Sequence, residues 1–202
     1  MLSDLFTYHI PLSIDTYKSA VAEEALKLGA TVVNDISGLS FDKKMTDVVV
    51  KYKSHIILMH IKGTPENMQH NPKYSDLIGE IYGFLDNARN TAIRNGINKE
   101  KIIIDPGIGF GKTVEHNYQI ISNLEYFKKM EAPILIGLSR KSLIGKLYDN
   151  GSNRLPATIA LNSLCVINGA DIIRVHDVKE HKLALTALEM IKKVNNINGN
   201  CN

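Results

Sequence analysis

The chain has 202 residues, 44% of them apolar, which fits one domain with ample material for a core. Lysine and arginine number 24 against 21 aspartates and glutamates, a net +3 with the two signs interspersed, which excludes a histone-like polybasic binder. Cys165 and Cys201 lie far apart with no CxxC spacing, the start at residues 1–10 carries Asp4 and His9 without a basic n-region, and no apolar run approaches about 18 residues; a reducing cytosol is expected, and secretion and membrane spanning are disfavoured.

Short apolar runs ending in a polar residue recur along the chain, each followed by a segment with helical spacing. The first predicted strand is 10–15, ending at Asp15; Ala20, Val21, Ala22, Ala25, Leu26 and Leu28 then make an apolar helix face, with Gly29 where a C-cap is expected. The second is 31–36, carrying Asn34 and Asp35. The third is 55–60, which brings Met59 and His60 to its end before a loop, 61–72, long enough to fold over a site. Helical spacing over 74–95 closes at Gly96 and leads into the fourth strand, 101–105, and the glycine-rich run from Asp105 to Thr113. The fifth, 133–139, ends in Ser139, Arg140 and Lys141, and the sixth, 171–177, contains Arg174 and His176. Residues 1–194 read as one domain and 195–202, rich in Asn and Gly, as a frayed tail.

Strands nearly continuous in Val, Ile and Leu suit a parallel sheet buried on both faces, so the class is α/β. Polar residues stand at all six strand ends. A doubly wound sheet gathers its chemistry at one switch point, whereas a TIM-type barrel spreads it over every C-terminal strand end, so a barrel is expected.

The run after Asp105 ends like a phosphate-binding loop, but Pro106 occupies the place where that loop needs its first glycine. The run reads instead as a turn that lets backbone approach a flat ligand, with Asp105 offering a carboxylate; the alternative is helix capping by Asp105. Ser139, Arg140, Lys141 and Ser142 converge where a helix would begin, a place that suits anions, or they are solvated surface groups. Alternation puts Arg174 and His176 on one side of their strand, able to face one phosphate or carboxylate. Asp15 and Asn34 offer donor and acceptor groups suited to a heterocycle, with turn and cap duty as the alternative, while Met59 is an apolar contact for an aromatic ring or core. No HExxH, paired thiolates or His/carboxylate cluster suggests a metal cage, and Gly-x-Ser-x-Gly is absent.

In order along the chain, Ser13-Ile14-Asp15-Thr16, Asn34-Asp35-Ile36-Ser37-Gly38, Leu58-Met59-His60 with Gly63-Thr64-Pro65-Glu66-Asn67-Met68-Gln69, the Asp105 to Thr113 run, Gly137-Leu138-Ser139-Arg140-Lys141-Ser142 and Arg174-Val175-His176-Asp177-Val178 resemble dihydropteroate synthase. The resemblance implies a (β/α)₈ barrel that joins 6-hydroxymethyl-7,8-dihydropterin diphosphate to p-aminobenzoate and releases pyrophosphate. It implies a pterin pocket of Asp15, Asn34, Met59, Asp105, Gly137 and Lys141, with Asp105 and Lys141 carrying the chemistry. Ser142 and Lys141 would meet p-aminobenzoate, and Arg174 and His176 the leaving diphosphate. It further implies Mg²⁺, a cytoplasmic homodimer through the last helices, and small-molecule partners rather than nucleic acid or membrane.

The chain departs from the family in lacking the motifs of its first two βα units, including the usual protein ligand of Mg²⁺ and a further diphosphate arginine. It therefore reads as an N-terminally truncated barrel of about six units with its first and last strands left as open edges. A milder departure is Ala157-Thr158, where the family more often has Gly before the hydroxyl residue, an expected matter of helix packing. Two other readings carry over: a pterin-binding methyltransferase, against which Ser139-Arg140-Lys141 and Arg174-Val175-His176 argue, and a non-catalytic pterin-binding module.

Overall fold

The computed structural model describes residues 10–145 and 153–199, with side chains to Ile191; Cys201 and the residues before Ile10 lie outside the described part. All six predicted strands are present: β1 Ser13–Asp15, β2 Val32–Asp35, β3 His55–Met59, β4 Ile102–Asp105, β5 Leu135–Ile136 and β6 Ile172–Ile173. Between and after them run α1 Ser19–Lys27, α2 Met45–Tyr52, α3 Leu77–Arg94, α4 Val114–Ser122, the one-turn α5 Leu124–Phe127 and α6 Ser142–Gly145, α7 Leu155–Ile167 and α8 Val178–Gly199. The last helix continues through residues 195–199, the first part of the expected tail.

Every pairing is parallel. β1 to β4 form one ladder in chain order and β5 pairs with β6 in a second, with an Ile104–Ile134 bridge joining them into a row of six. The register sets Asp15 opposite Asn34 and Met59 opposite Asp105, so the polar ends lie at one end of the row. This is the wall of an α/β barrel, with β1 and β6 each paired on one side among the described residues. Their tips nevertheless approach one another, since an Arg174 guanidinium nitrogen lies 3.4 Å from an Asp15 carboxylate oxygen.

The core falls into two packed groups. Val33, Ile56, Leu58 and Ile102 meet Ala22, Leu26, Val49, Ala88 and Ala92 from the first three helices, while Ile104, Ile134 and Ile136 meet Ile81 and Leu85 from α3 and Ile120, Phe127 and Cys165 from later helices. Both faces of the central strands are covered, which is why their sequence lacks alternation.

Local chemistry sets the helix ends. Asp76 accepts from the Gly79 amide at 3.0 Å and Glu80 reaches back to the Ser75 and Asp76 amides, so α3 starts at Leu77 and not at Tyr74. On α1 the buried stripe is Ser19, Ala22 and Leu26; Val21, expected on the apolar face, points to solvent, and Leu28 stands exposed at the C-cap, while Asp42 accepts from the Ser19 amide at 2.8 Å. Pro156 stands in the first turn of α7, where its missing N–H costs nothing, and Thr158 donates to the Arg154 carbonyl at 2.8 Å.

Candidate active site

The β4 end carries the central group. Asp105 is 2% exposed, and its Oδ1 accepts from the Gly107 amide at 2.7 Å. The helix that follows is capped by Thr113, which accepts from the His116 amide, so Asp105 has no capping duty. Burial pushes the Asp105 carboxyl above its ordinary range, against the pull of the cationic Lys141, the Gly107 hydrogen bond, Arg174 and Lys112. A carboxylate aimed at three cations, with its second oxygen carrying no hydrogen bond among the described residues, is held ready for an outside donor.

Across β3, at the end of β2, Asn34 is fully buried; its Nδ2 donates to Asp15 Oδ1 at 2.7 Å and its own Oδ1 has no donor. A buried carbonyl without a partner costs roughly 1–3 kcal/mol, so Oδ1 marks a place where an N–H belongs. Asp35 does not join the site: its two oxygens accept from the amides of Ser37 and Leu39 and so hold the turn after β2. Met59 is entirely buried, opposite Asp105 in the ladder, so it underlies the site without surface of its own.

Lys141 donates to the Ile108 carbonyl and lies 4.7 Å from the centre of the Phe110 ring. Burial lowers its amine to about 8, opposed by Asp105 and reinforced by Arg174. Arg140, by contrast, turns away: its backbone is left-handed at φ 62, and its side chain pairs with Asp177 at 2.9 Å in solvent, so it adds no charge to the site. Ser142 is exposed and opens α6, a single described turn. Gly137 leaves room for Arg174, whose Nε would stand 3.2 Å from any Cβ placed there. Arg174 and His176 are anchored differently, the first on Asp15 and the second on Ser139, whose Oγ lies 2.9 Å from His176 Nδ1. β6 ends at Ile173, so strand alternation does not reach either residue.

A cavity of about 410 Å³ opens at these tips, lined by Asp15, Thr16, Tyr17, Lys18, Ile36 and Phe110. A larger cleft, about 540 Å³, lies on the far side of the glycine turn among Gln69, Asn71, Pro72 and Lys112 to Glu115, away from Asp105 and Asn34. The smaller one is the chemically furnished one, since Asp15 and Phe110 in its wall contact Asn34 and Lys141 directly. Asp105 itself lies behind that wall, so a ligand that uses it must displace the side chains over it.

Sequence reasoning passed over Lys112. Its ammonium is 4% exposed, 2.9 Å from His60 Nδ1 and 2.9 Å from the Phe110 carbonyl, with the amine lowered by burial to about 7. Burial and the nearby Lys112 charge drop the His60 imidazole to about 3. A base neutral in the fold but protonated near 6.5 when unfolded removes stability as the pH falls from 6.5 toward 3. His60→Gln should therefore flatten the loss of urea stability between pH 6.5 and 4.5. An identical loss in both proteins would place the acid sensitivity elsewhere.

Among the described residues no three His, Cys, Asp or Glu side chains converge on a metal position, so Mg²⁺ is given no protein ligand set here. Cys165 is buried, with its thiol raised to about 12, and is no nucleophile.

Comparison with known proteins agrees with this chemistry. The family model described as pterin binding enzyme matches residues 1–176. The dihydropteroate synthase of Synechocystis is 45% identical over 172 residues, covering 84% of this chain and 60% of that protein; the Escherichia coli K12 enzyme is 39% identical over 183 residues, covering 90% and 64%. The chain thus spans somewhat less than two thirds of these relatives' length. A crystal structure of dihydropteroate synthase from Clostridium difficile, in the presence of pteroic acid, superposes with a TM-score of 0.86 at 43% identity, covering 94% of this chain and 71% of the other. With its strand-end carboxylate, carboxamide and lysine in the matched span, this chain belongs to the pterin-binding enzyme family.

Proposed function

We propose that the chain is a dihydropteroate synthase, which condenses 6-hydroxymethyl-7,8-dihydropterin diphosphate with p-aminobenzoate to give 7,8-dihydropteroate and pyrophosphate. The observation that carries this reading is the placement of a buried Asp105 carboxylate, one oxygen of which carries no hydrogen bond among the described residues, and the donor-less Asn34 Oδ1 at the tips of β4 and β2, which flank β3. A pterin presents an amino group and ring N–H along one edge. Asp105 accepts from that edge, Asn34 Oδ1 takes a further N–H, Asp15 completes the polar rim, and Met59 and Gly137 shape the floor. Lys141 leaves the Ile108 carbonyl to donate to the ring's exocyclic oxygen.

The family resemblance implies the order of steps, and these placements supply the groups for them. The C–O bond to the diphosphate breaks first, leaving a methylene cation conjugated with the pterin, and the negative charge of Asp105 beside the ring stabilises it. Arg174 and His176 meet the charge that builds on the departing diphosphate. The aniline nitrogen of p-aminobenzoate, its carboxylate on Ser142, then forms the C–N bond and loses a proton. No side-chain nucleophile takes part, in keeping with the inert Cys165. Mg²⁺ would arrive on the diphosphate itself.

The chain is further proposed to act in the cytoplasm as a homodimer through its last helices. No described helix is long and apolar enough to cross a membrane, and Leu164 and Ile167 on α7 with Met190 and Ile191 on α8 leave apolar surface exposed.

Pyrophosphate release with both substrates tests the activity. Release is expected from the unaltered chain, and Lys141→Ala should reduce it at least tenfold while the circular dichroism spectrum stays the same. Unaltered turnover in that variant would leave Lys141 only a structural role at the Ile108 carbonyl; binding of the dihydropterin diphosphate without any pyrophosphate would leave a pterin-binding module in place of an enzyme.

A further inference from the structure

The glycine turn between β4 and α4 has an uncommon pattern of hydrogen bonds. Four consecutive carbonyls each accept from a side chain: Ile108 from Lys141, Gly109 from Gln69 Nε2 at 2.7 Å, Phe110 from Lys112 at 2.9 Å and Gly111 from the Tyr74 hydroxyl at 2.8 Å. Carbonyls in a surface turn are ordinarily left to water. Three of these donors tie the turn to the β3 side. Gln69 and Tyr74 belong to the segment between β3 and α3, and Lys112 is bound to His60 at the β3 end. Asn117 fixes the turn from the other side, accepting from the Gly109 amide at 2.7 Å.

We propose that Lys112, Tyr74 and Gln69 are positioning residues that hold the glycine turn so that Asp105 at its start and Phe110 near its end meet the pterin ring. The inference rests on the pterin reading given above. Stability alone does not explain Lys112. A buried ammonium held by two carbonyls and an imidazole, with no carboxylate in hydrogen-bond contact, is a costly occupant, and an apolar side chain of the same length would fill the space better. The depressed lysine pKa points the same way. What the ammonium supplies, and a methionine would not, is the fixed distance between His60 and the Phe110 carbonyl.

The test compares the unaltered chain with Lys112→Met and Tyr74→Phe by calorimetric titration with 6-hydroxymethyl-7,8-dihydropterin diphosphate at 10 °C. Thermal midpoints and the amide resonances of Gly107, Gly109 and Gly111 are recorded alongside. Lys112→Met should bind about tenfold more weakly and Tyr74→Phe about threefold, the scale of one lost hydrogen bond with and without charge. Both should displace the three glycine signals, and Lys112→Met should melt no lower than the unaltered chain. Unchanged affinity in the two variants, whatever their midpoints, would overturn the inference. If Lys112→Met does not fold, Tyr74→Phe decides alone, since it removes one half-buried oxygen. Failure of the unaltered chain to bind would instead overturn the pterin reading itself, before either variant is consulted.

Discussion

Asp105→Asn should weaken binding of 6-hydroxymethyl-7,8-dihydropterin diphosphate by about 1.5–3 kcal/mol, the value of hydrogen bonds to a charged group, or roughly ten- to a hundredfold in affinity. The substitution keeps the shape of the side chain and an oxygen to accept from the Gly107 amide, so the turn that now closes at 2.7 Å is retained. It removes the acceptor for the second pterin N–H and substitutes an NH₂ that meets the ring's donor edge with another donor. It also strips the countercharge from Lys141 and Lys112, which lowers both amines further and weakens the hold of Lys141 on the ring oxygen. Titration calorimetry at pH 7 measures the change, and equal affinity in the two proteins would remove Asp105 from the pocket.

Gly107→Ala should cost more than about 3 kcal/mol of folding stability, a loss that strain at a fixed backbone and a clash in a packed site produce together. Gly107 has φ 75, where a Cβ is disfavoured, and an ideal Cβ there would sit far closer than 3.0 Å to the carbonyl oxygen of His60. That obstacle is backbone and cannot rotate aside. The His60 amide donates to the Asp105 carbonyl at 2.9 Å, so relieving the clash would pull apart the end of the β3–β4 ladder together with the Lys112 contact. Urea unfolding gives the answer through its midpoint, and a loss below about 1 kcal/mol would mean that the turn relaxes in a way the structure does not suggest.

The barrel wall was legible because burial on both faces leaves a plain mark. Residues 55–60 and 101–105 are almost wholly apolar and end in a polar group, and the strands lie there. Their lengths were overestimated for 10–15, 133–139 and 171–177, which shrink to Ser13–Asp15, Leu135–Ile136 and Ile172–Ile173, because a strand lasts only as long as the partner it pairs with, which no single segment discloses. Asp105, Asn34, Asp15 and Lys141 were legible as polar groups at strand ends. Of the two readings kept for Arg140, anion binding or a solvated surface group, the geometry favours the second, through a left-handed backbone that sends it to Asp177 and that nothing in its neighbours announces.

Lys112 was hidden by its setting. A lysine among glycines reads as a solvated cation once the phosphate-loop spacing is rejected, and its burial arises from contact with His60, 52 positions earlier. One signal was available: His60 ends a run of apolar strand residues and needed a polar partner there. Tyr74 and Gln69 gave no such hint, because a loop of this length fixes its contacts only when the whole wall is assembled.

The central claim is that a bicyclic pterin seats its donor edge on Asp105 and Asn34. A crystal structure of the chain soaked with 6-hydroxymethyl-7,8-dihydropterin diphosphate tests it most directly. The account predicts ring density within hydrogen-bond distance of Asp105 and Asn34 Oδ1, with Lys141 moved off the Ile108 carbonyl and the diphosphate toward Arg174 and His176. Density in the cleft beside Gln69 and Thr113, with Asp105 still covered, would contradict it.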